Sequence, residues 1–262
     1  MKKIKIGKLD FSKVICGTNP FYGHSHFSNA RDAEYHGRFN DKAIEQMVKQ
    51  CINLGINTLE SCANERIIAI LSQLRETTSE PIHFVGTTRL DETSEMKSHQ
   101  EKLSFLIGNR ATICVIHAQY VDQPKKGNSI KGLAQLIDTI HAAGLLAGIS
   151  THRVETVELC EKQRYGTDIY MFPLNLMGFV YPGYEGNETV KDRIGIVRGV
   201  SKPFILIKTL GAGRIPPKEG LQFIADNAKP DDIISIGFGT AEEVSESIEL
   251  AEKYFQHTDK NT

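Results

Sequence analysis

Eight short apolar runs divide this chain, and a cluster of polar, chemistry-capable residues follows each of them. The runs are Val14-Ile15-Cys16, Ile56-Asn57-Thr58-Leu59, Ile82-His83-Phe84-Val85, Ile113-Cys114-Val115-Ile116, Leu146-Ala147-Gly148-Ile149, Ile169-Tyr170-Met171-Phe172, Phe204-Ile205-Leu206-Ile207 and Ile233-Ile234-Ser235-Ile236. Behind them come Gly17-Thr18-Asn19, Glu60-Ser61-Cys62, Thr87-Thr88-Arg89, His117, Ser150-Thr151-His152, Asn175, Lys208-Thr209 and Gly237-Phe238-Gly239-Thr240. Near-continuous apolar runs separated by helix-like segments are how parallel strands buried on both faces read. Eight of them predict a (β/α)8 TIM barrel spanning residues 1–262 as a single domain, with strands beginning near residues 13, 56, 82, 112, 145, 168, 203 and 232. In that architecture the C-terminal strand ends converge on one pocket, so the polar clusters would share a site.

The segments between the runs carry helical spacing. Ala43, Ile44, Met47, Val48, Cys51 and Ile52 recur at i, i+3, i+4, i+7 behind a cap at Asn40 or Asp41. Asn64-Glu65 opens a helix with Ile67, Ile68, Ile70, Leu71 and Leu74. Ile130, Leu133, Leu136, Ile137 and Ile140 form another stripe, ended by Gly144. Pro216-Pro217 and Ala241-Glu242-Glu243 start the last two helices. The pattern is weakest near residues 93–107. Two connections, Thr18 to Phe39 and Pro173 to Glu188, are longer than the usual βα loop and rich in aromatic residues, which predicts loops that fold over a ligand.

Composition narrows the function. The 31 basic and 32 acidic residues leave a net charge of −1, with no broad field for nucleic acid or an anionic membrane. No apolar stretch nears the roughly 20 residues that cross a bilayer. The start, Met1-Lys2-Lys3-Ile4-Lys5-Ile6, lacks the apolar segment of a signal peptide. Cys16, Cys51, Cys62, Cys114 and Cys160 form an odd set without a closely spaced pair, as expected of reduced thiols. The expectation is a cytoplasmic enzyme whose partner is a small-molecule substrate. Its oligomeric state is left open.

Several motifs resemble the aldo/keto reductase family. Gly55-Ile56-Asn57-Thr58-Leu59-Glu60-Ser61-Cys62 is similar to that family's G-I-N-x-x-D-[ST]-A stretch, and Gly148-Ile149-Ser150-Thr151-His152 to its G-[VI]-S-N-[FH] element. Ile116-His117 resembles its strand-4 Leu-His. Lys208-Thr209-Leu210-Gly211-Ala212-Gly213 and Ile236-Gly237-Phe238-Gly239-Thr240 resemble its last two cofactor loops. The resemblance implies a hairpin from Ile4-Lys5-Ile6-Gly7-Lys8-Leu9 plugging the barrel floor, and NAD(P) contacts from Ser150, Gly211, Gly213, Gly237, Gly239 and Thr240. The reductive Asp, Tyr, Lys, His tetrad is not matched. In this register Glu60 takes the Asp position, Glu65 the Tyr position and Thr87 or Thr88 the Lys position, and His117 alone is kept. A carboxylate cannot imitate a phenol whose acidity is tuned by a neighbouring ammonium.

What stands in the tetrad's place allows more than one reading. His24, His26, Glu60, His117 and His152 could form a shell for Zn or Mn. The bland alternative is a set of hydrogen-bonded imidazoles. Glu60, His117 and His152 could equally exchange protons directly. Lys208 suits an electrostatic clamp or a partner for Glu60, with Schiff-base chemistry as a further option. The glycines after the last two strands serve either phosphate binding or merely tight turns. Arg89 could hold an anionic substrate or pair with Asp91 or Glu92. The favoured reading is a metal- or acid/base-assisted lyase, isomerase or hydrolase acting on a sugar-like or phosphorylated metabolite. An NAD(P)-dependent oxidoreductase with an altered proton donor and a catalytically inactive ligand-binding barrel remain as alternatives.

Overall fold

The computed structural model describes residues 1–90, 95–123, 129–179 and 186–255. A hairpin of β1 (Lys3–Ile6) and β2 (Leu9–Ser12) comes first, its strands antiparallel. Then follow β3 (Val14–Gly17), β4 (Thr58–Cys62), β5 (His83–Thr87), β6 (Ile113–Ile116), β7 (Leu146–Ser150), β8 (Ile169–Pro173), β9 (Phe204–Ile207) and β10 (Ile233–Gly237). These eight close into a barrel in chain order, β10 pairing with β3, and every pairing is parallel. Each strand begins within two residues of its expected start.

The helices are α1 (Asn29–Arg38), α2 (Asp41–Asn53), α3 (Glu65–Thr77), α4 (His99–Gly108), α5 (Ala118–Val121), α6 (Leu133–Ala142), α7 (Val154–Gln163), α8 (Val190–Gly199), α9 (Pro217–Asn227) and α10 (Ala241–Phe255). The side-chain oxygens of Asn40 and Asn64 accept the N–H groups of Ala43 and Ile67, as the capping pattern requires. Helix α4 starts at His99, behind a reciprocal cap between Ser98 and Glu101.

Strand alternation divides the core in two. Val14, Cys16, Phe84, Cys114, Ala147, Tyr170, Phe172, Phe204 and Leu206 face outward and pack under the helices. The intervening Ile15, Val85, Ile113, Val115, Ile169, Met171, Ile205 and Ile233 fill the barrel interior. The hairpin seals the floor as the resemblance implied, adding Ile4, Ile6 and Phe11 to that inner cluster. Asn57 locks the plug in place. Its Oδ1 accepts the Ser12 N–H at 2.8 Å, and its Nδ2 donates to the Asp10 carbonyl at 2.8 Å.

The stretch Thr18–Phe39 departs from expectation, because it is not only loop. A short 3₁₀ turn at Asn19–Tyr22 leads to α1, capped by Ser28. None of the residues of α1 is buried, so the helix has no apolar stripe to announce it. Of the second long connection, Tyr181, Pro182, Gly183 and Tyr184 lie outside the described residues, as do Asp91, Glu92 and His257. Among the described residues no helix is long and apolar enough to cross a membrane.

Truncating Asn57 to alanine removes the acceptor of the buried Ser12 N–H and a donor to the Asp10 carbonyl. The Asn57→Ala variant should lose about 1–3 kcal/mol in urea unfolding, with the slope of the transition unchanged. A loss below about 0.5 kcal/mol would show that the plug is not held through this side chain.

Candidate active site

The barrel mouth opens into a cavity of about 830 Å³. Its floor is set by strand parity: Gly17, Glu60, Cys62, Thr87, Ser150, Ile207, Ser235 and Gly237 are the last inward positions of their strands, and all line it. Glu60 is central. Its Oε2 accepts the Ser235 hydroxyl at 3.1 Å. Gly17 makes room for that pair, since a Cβ there would lie 2.9 Å from Ser235 Oγ and 3.5 Å from Glu60 Oε2. Burial drives the Glu60 carboxyl up to about 7, against the Ser235 hydrogen bond and the nearby Arg89 and Lys208 cations, which pull it down.

Lys208 reaches the cavity by breaking the alternation. Ile207 faces inward, so a regular strand would turn the next side chain out. Lys208 instead adopts a left-handed φ of 56°, and its side chain lines the cavity. Its carbonyl is pinned by Asn175 Nδ2 and by the Gly211 N–H, both at 2.9 Å. Burial, and then the Arg89 charge, lower the Lys208 pKa, while Glu60 opposes the shift. Among the described residues neither Arg89 nor Lys208 forms an ion pair.

Burial holds the His26, His117 and His152 imidazoles well below the ordinary histidine pKa. His117 caps α5, with its Nδ1 3.3 Å from the Gln119 backbone nitrogen and 3.1 Å from Gln119 Oε1. Burial and then Arg89 depress His117 to about 3. His152 stacks on Phe179 with ring centroids 4.6 Å apart, its Nδ1 3.7 Å from Asp122 Oδ2. Burial and then Lys208 bring it to about 4. Asp122 is fixed by the Thr151 and Thr156 hydroxyls and by the His152 N–H at 2.9 Å.

The metal shell does not assemble. Among the described residues no three His, Cys, Asp or Glu side chains come close enough to hold an ion. His24 and His26 are exposed on the rim, their ring centroids 6.5 Å apart, while Glu60, His117 and His152 sit on separate strand ends below. The His-x-His spacing fails because both residues belong to the lid and not to the barrel wall. Glu65 also misses the site, being the exposed first residue of α3. Two phenols line the cavity, Tyr35 from α1 and Tyr22 from the 3₁₀ turn, and the Tyr22 hydroxyl lies 2.8 Å from Ser61 Oγ. Burial raises the Tyr22 pKa well above the ordinary tyrosine value. Tyr22 and Asp122 escaped sequence reading because each sits on a short helical turn that no periodicity marks.

The glycine positions divide. Ser150, Gly213 and Gly237 line the cavity, and Gly211, Gly239 and Thr240 do not. The lid covers the loop after β10: the Tyr35 ring rests on Gly239, Arg38 donates to the Gly239 carbonyl at 2.7 Å, and Pro20 packs on Gly237. The Gly239 N–H already donates to Glu243 Oε2 at 2.7 Å. Arg214 ties the lid to the loop after β9 through the His26 carbonyl at 3.0 Å.

Because the folded-state pKa of Glu60 lies above its ordinary 4.5, the native state binds the extra proton between those values, and stability falls as pH rises through about 7. Glu60→Gln should therefore gain stability over the parent at about pH 8 and lose that gain below about pH 4.5. Lys208→Met should move the Glu60 carboxyl midpoint, followed by ¹³C NMR, further upward. A midpoint near the ordinary value of 4.5 would refute the buried-carboxyl assignment.

No protein-family model matches this chain, and no curated protein matches it in sequence. Its fold does match solved structures. An aldo-keto reductase from Bacillus halodurans in its holo form superposes with a TM-score of 0.68 at 12% identity, covering 98% of this chain and 95% of that one. A variant of Gox0644 in complex with NADPH gives 0.60 at 12% identity, covering 95% and 87%. The N-acetylmannosamine-6-phosphate 2-epimerase from Clostridium perfringens gives 0.54 at 16% identity, covering 81% and 86%. In architecture the chain is a divergent aldo/keto reductase-like barrel with eight parallel strands.

Proposed function

We propose that this protein is an isomerase or lyase that moves a proton on a small, anionic, carbonyl- or hydroxyl-bearing metabolite, with Glu60 as the proton-transferring group. One observation carries the reading: a carboxyl recessed in the cavity, poised at about 7, beside a cationic wall of Arg89 and Lys208. A general base works best when its pKa is near the operating pH. Arg89 would anchor the substrate's anionic group. The neutral His117 would hydrogen-bond the substrate through Nε2. A carboxylate base paired with a neutral imidazole serves enolisation in other β/α barrels, which supports the assignment by analogy. His152, held by Asp122 and Phe179, would orient the substrate on the opposite wall. Neutral imidazoles spare the site the cost of desolvating further charge.

The fold's usual nicotinamide cofactor is the competing reading, and the residues here do not fit it. Gly239 is covered by Tyr35, and its N–H, which would meet a phosphate, already serves Glu243. Neither cavity phenol, Tyr22 or Tyr35, has a lysine lowering its pKa, and burial raises both. No step is therefore assigned to hydride transfer.

The test is solvent exchange. The protein in D₂O should incorporate deuterium at one carbon of members of a panel of 2-oxo acids, 2-hydroxy acids and sugar phosphates, followed by ¹H NMR. The rate should rise with pH to a plateau above about 7, because the carboxylate is the base. Glu60→Gln should lower it about 10²–10⁴-fold. Exchange that survives this substitution unchanged, or substrate-dependent NADPH oxidation in its place, would overturn the reading.

A further inference from the structure

We propose that Lys208 is a covalent catalyst whose Nζ condenses with a substrate carbonyl to form a Schiff base. The inference rests on the proton-transfer reading in one respect, that Glu60 serves as its acid and base.

Three observations point the same way. The first is placement. A left-handed conformation is costly at a non-glycine residue, and here it is what turns the lysine from the strand's outer face into the cavity. Asn175 and Gly211 hold that turn through the Lys208 carbonyl. The second is that the Lys208 amine has no ion-pair partner among the described residues, so it is not consumed by a structural role.

The third is the company it keeps. The groups that face it are Glu60 from β4, Arg89 after β5, His26 from the lid and His152 after β7. One is a permanent cation and two are imidazoles that repel further positive charge. Glu60, the sole acid among them, is itself held partly protonated. A lysine meant only as an electrostatic clamp needs surroundings that keep it charged. These surroundings favour the neutral, nucleophilic amine, as burial beside a second cation does in amine catalysis generally.

The step balances without any further reagent. The Glu60 carboxylate takes one proton from the Lys208 ammonium, and the freed lone pair attacks the carbonyl carbon. The π pair moves to oxygen, which takes a second proton from nitrogen to give a carbinolamine. The Glu60 carboxylic acid then protonates that hydroxyl. Water leaves as the nitrogen lone pair forms C=N, giving the iminium ion and restoring the carboxylate. The iminium draws electrons from the adjacent carbon, so it would lower the barrier to the very deprotonation assigned to Glu60. Arg89 sits where a carboxylate or phosphate on the same substrate would be held. The substrate class is thus a small ketone or aldehyde bearing an oxyanion.

Reductive trapping tests this on the intact protein. The probes are pyruvate, for a carboxylate, and dihydroxyacetone phosphate, for a phosphate, each with sodium borohydride. Hydride addition should leave a secondary amine and a mass increase equal to the probe less its oxygen. Peptide mapping should locate it on Lys208 of the unmodified sequence. Lys208→Met and Lys208→Arg should both abolish it, and Glu60→Gln should slow it about a hundredfold. No adduct at Lys208 with either probe, or labelling spread over exposed lysines and unchanged in both variants, would overturn the proposal. The two readings also separate. Deuterium exchange that needs Glu60 but persists in Lys208→Met would remove the covalent step and leave proton transfer. Trapping at Lys208 with exchange indifferent to Glu60→Gln would do the reverse.

Discussion

The arrangement at the barrel mouth depends on a steric constraint, the strict alternation of side chains along strands that close on themselves. In an open sheet, alternation sorts residues between two faces. In a closed barrel it sorts them between a helix-covered exterior and a shared interior, and stacks the interior residues in layers. The lower layers here are aliphatic and sealed by Ile4, Ile6 and Phe11 from the hairpin. The top layer is polar, and a carboxyl at Glu60 therefore faces the cavity with the barrel's apolar interior beneath it. Its raised pKa follows from that position more than from any single neighbour.

Electrostatics at this site is a contest between burial and charge. Arg89 and Lys208 lie near enough to Glu60 to lower its pKa but not near enough to pair with it. A direct salt bridge would have fixed all three in their charged states and left no group free to exchange protons near pH 7. The histidines are discharged by the same burial and by the same cations. The outcome is a recessed carboxyl at Glu60, a perturbed amine at Lys208 and neutral imidazoles around them.

The lid is held by contacts of a different kind. Helix α1 buries none of its residues, so it has little hydrophobic stabilisation of its own. It is secured by Arg38 and Arg214 donating to backbone carbonyls, by Tyr35 on Gly239, and by Phe27 between the guanidinium groups of Arg31 and Arg214 at 4.9 Å each. Polar and cation–π contacts at an exposed rim are individually weak. They hold the cover against the loops after β9 and β10.

The sequence by itself determined the strands, most helices and the register of Glu60, His117 and Ser150. Those features are written in local periodicity, in caps such as Asn40 and Asn64, and in an apolar core that cannot be buried another way. It also placed Arg89 among the candidates, though not its relation to Lys208. Tertiary structure alone decided which candidates meet. His24 and His26 looked like ligands by spacing, yet they ride on a rim whose position depends on contacts with β9 and β10, far away in the chain. Tyr22 and Asp122 entered the site from turns too short to carry a period. Lys208 faces inward through one backbone angle, set by Asn175 from the neighbouring strand's loop, and hydrophobic patterning holds no record of such an angle.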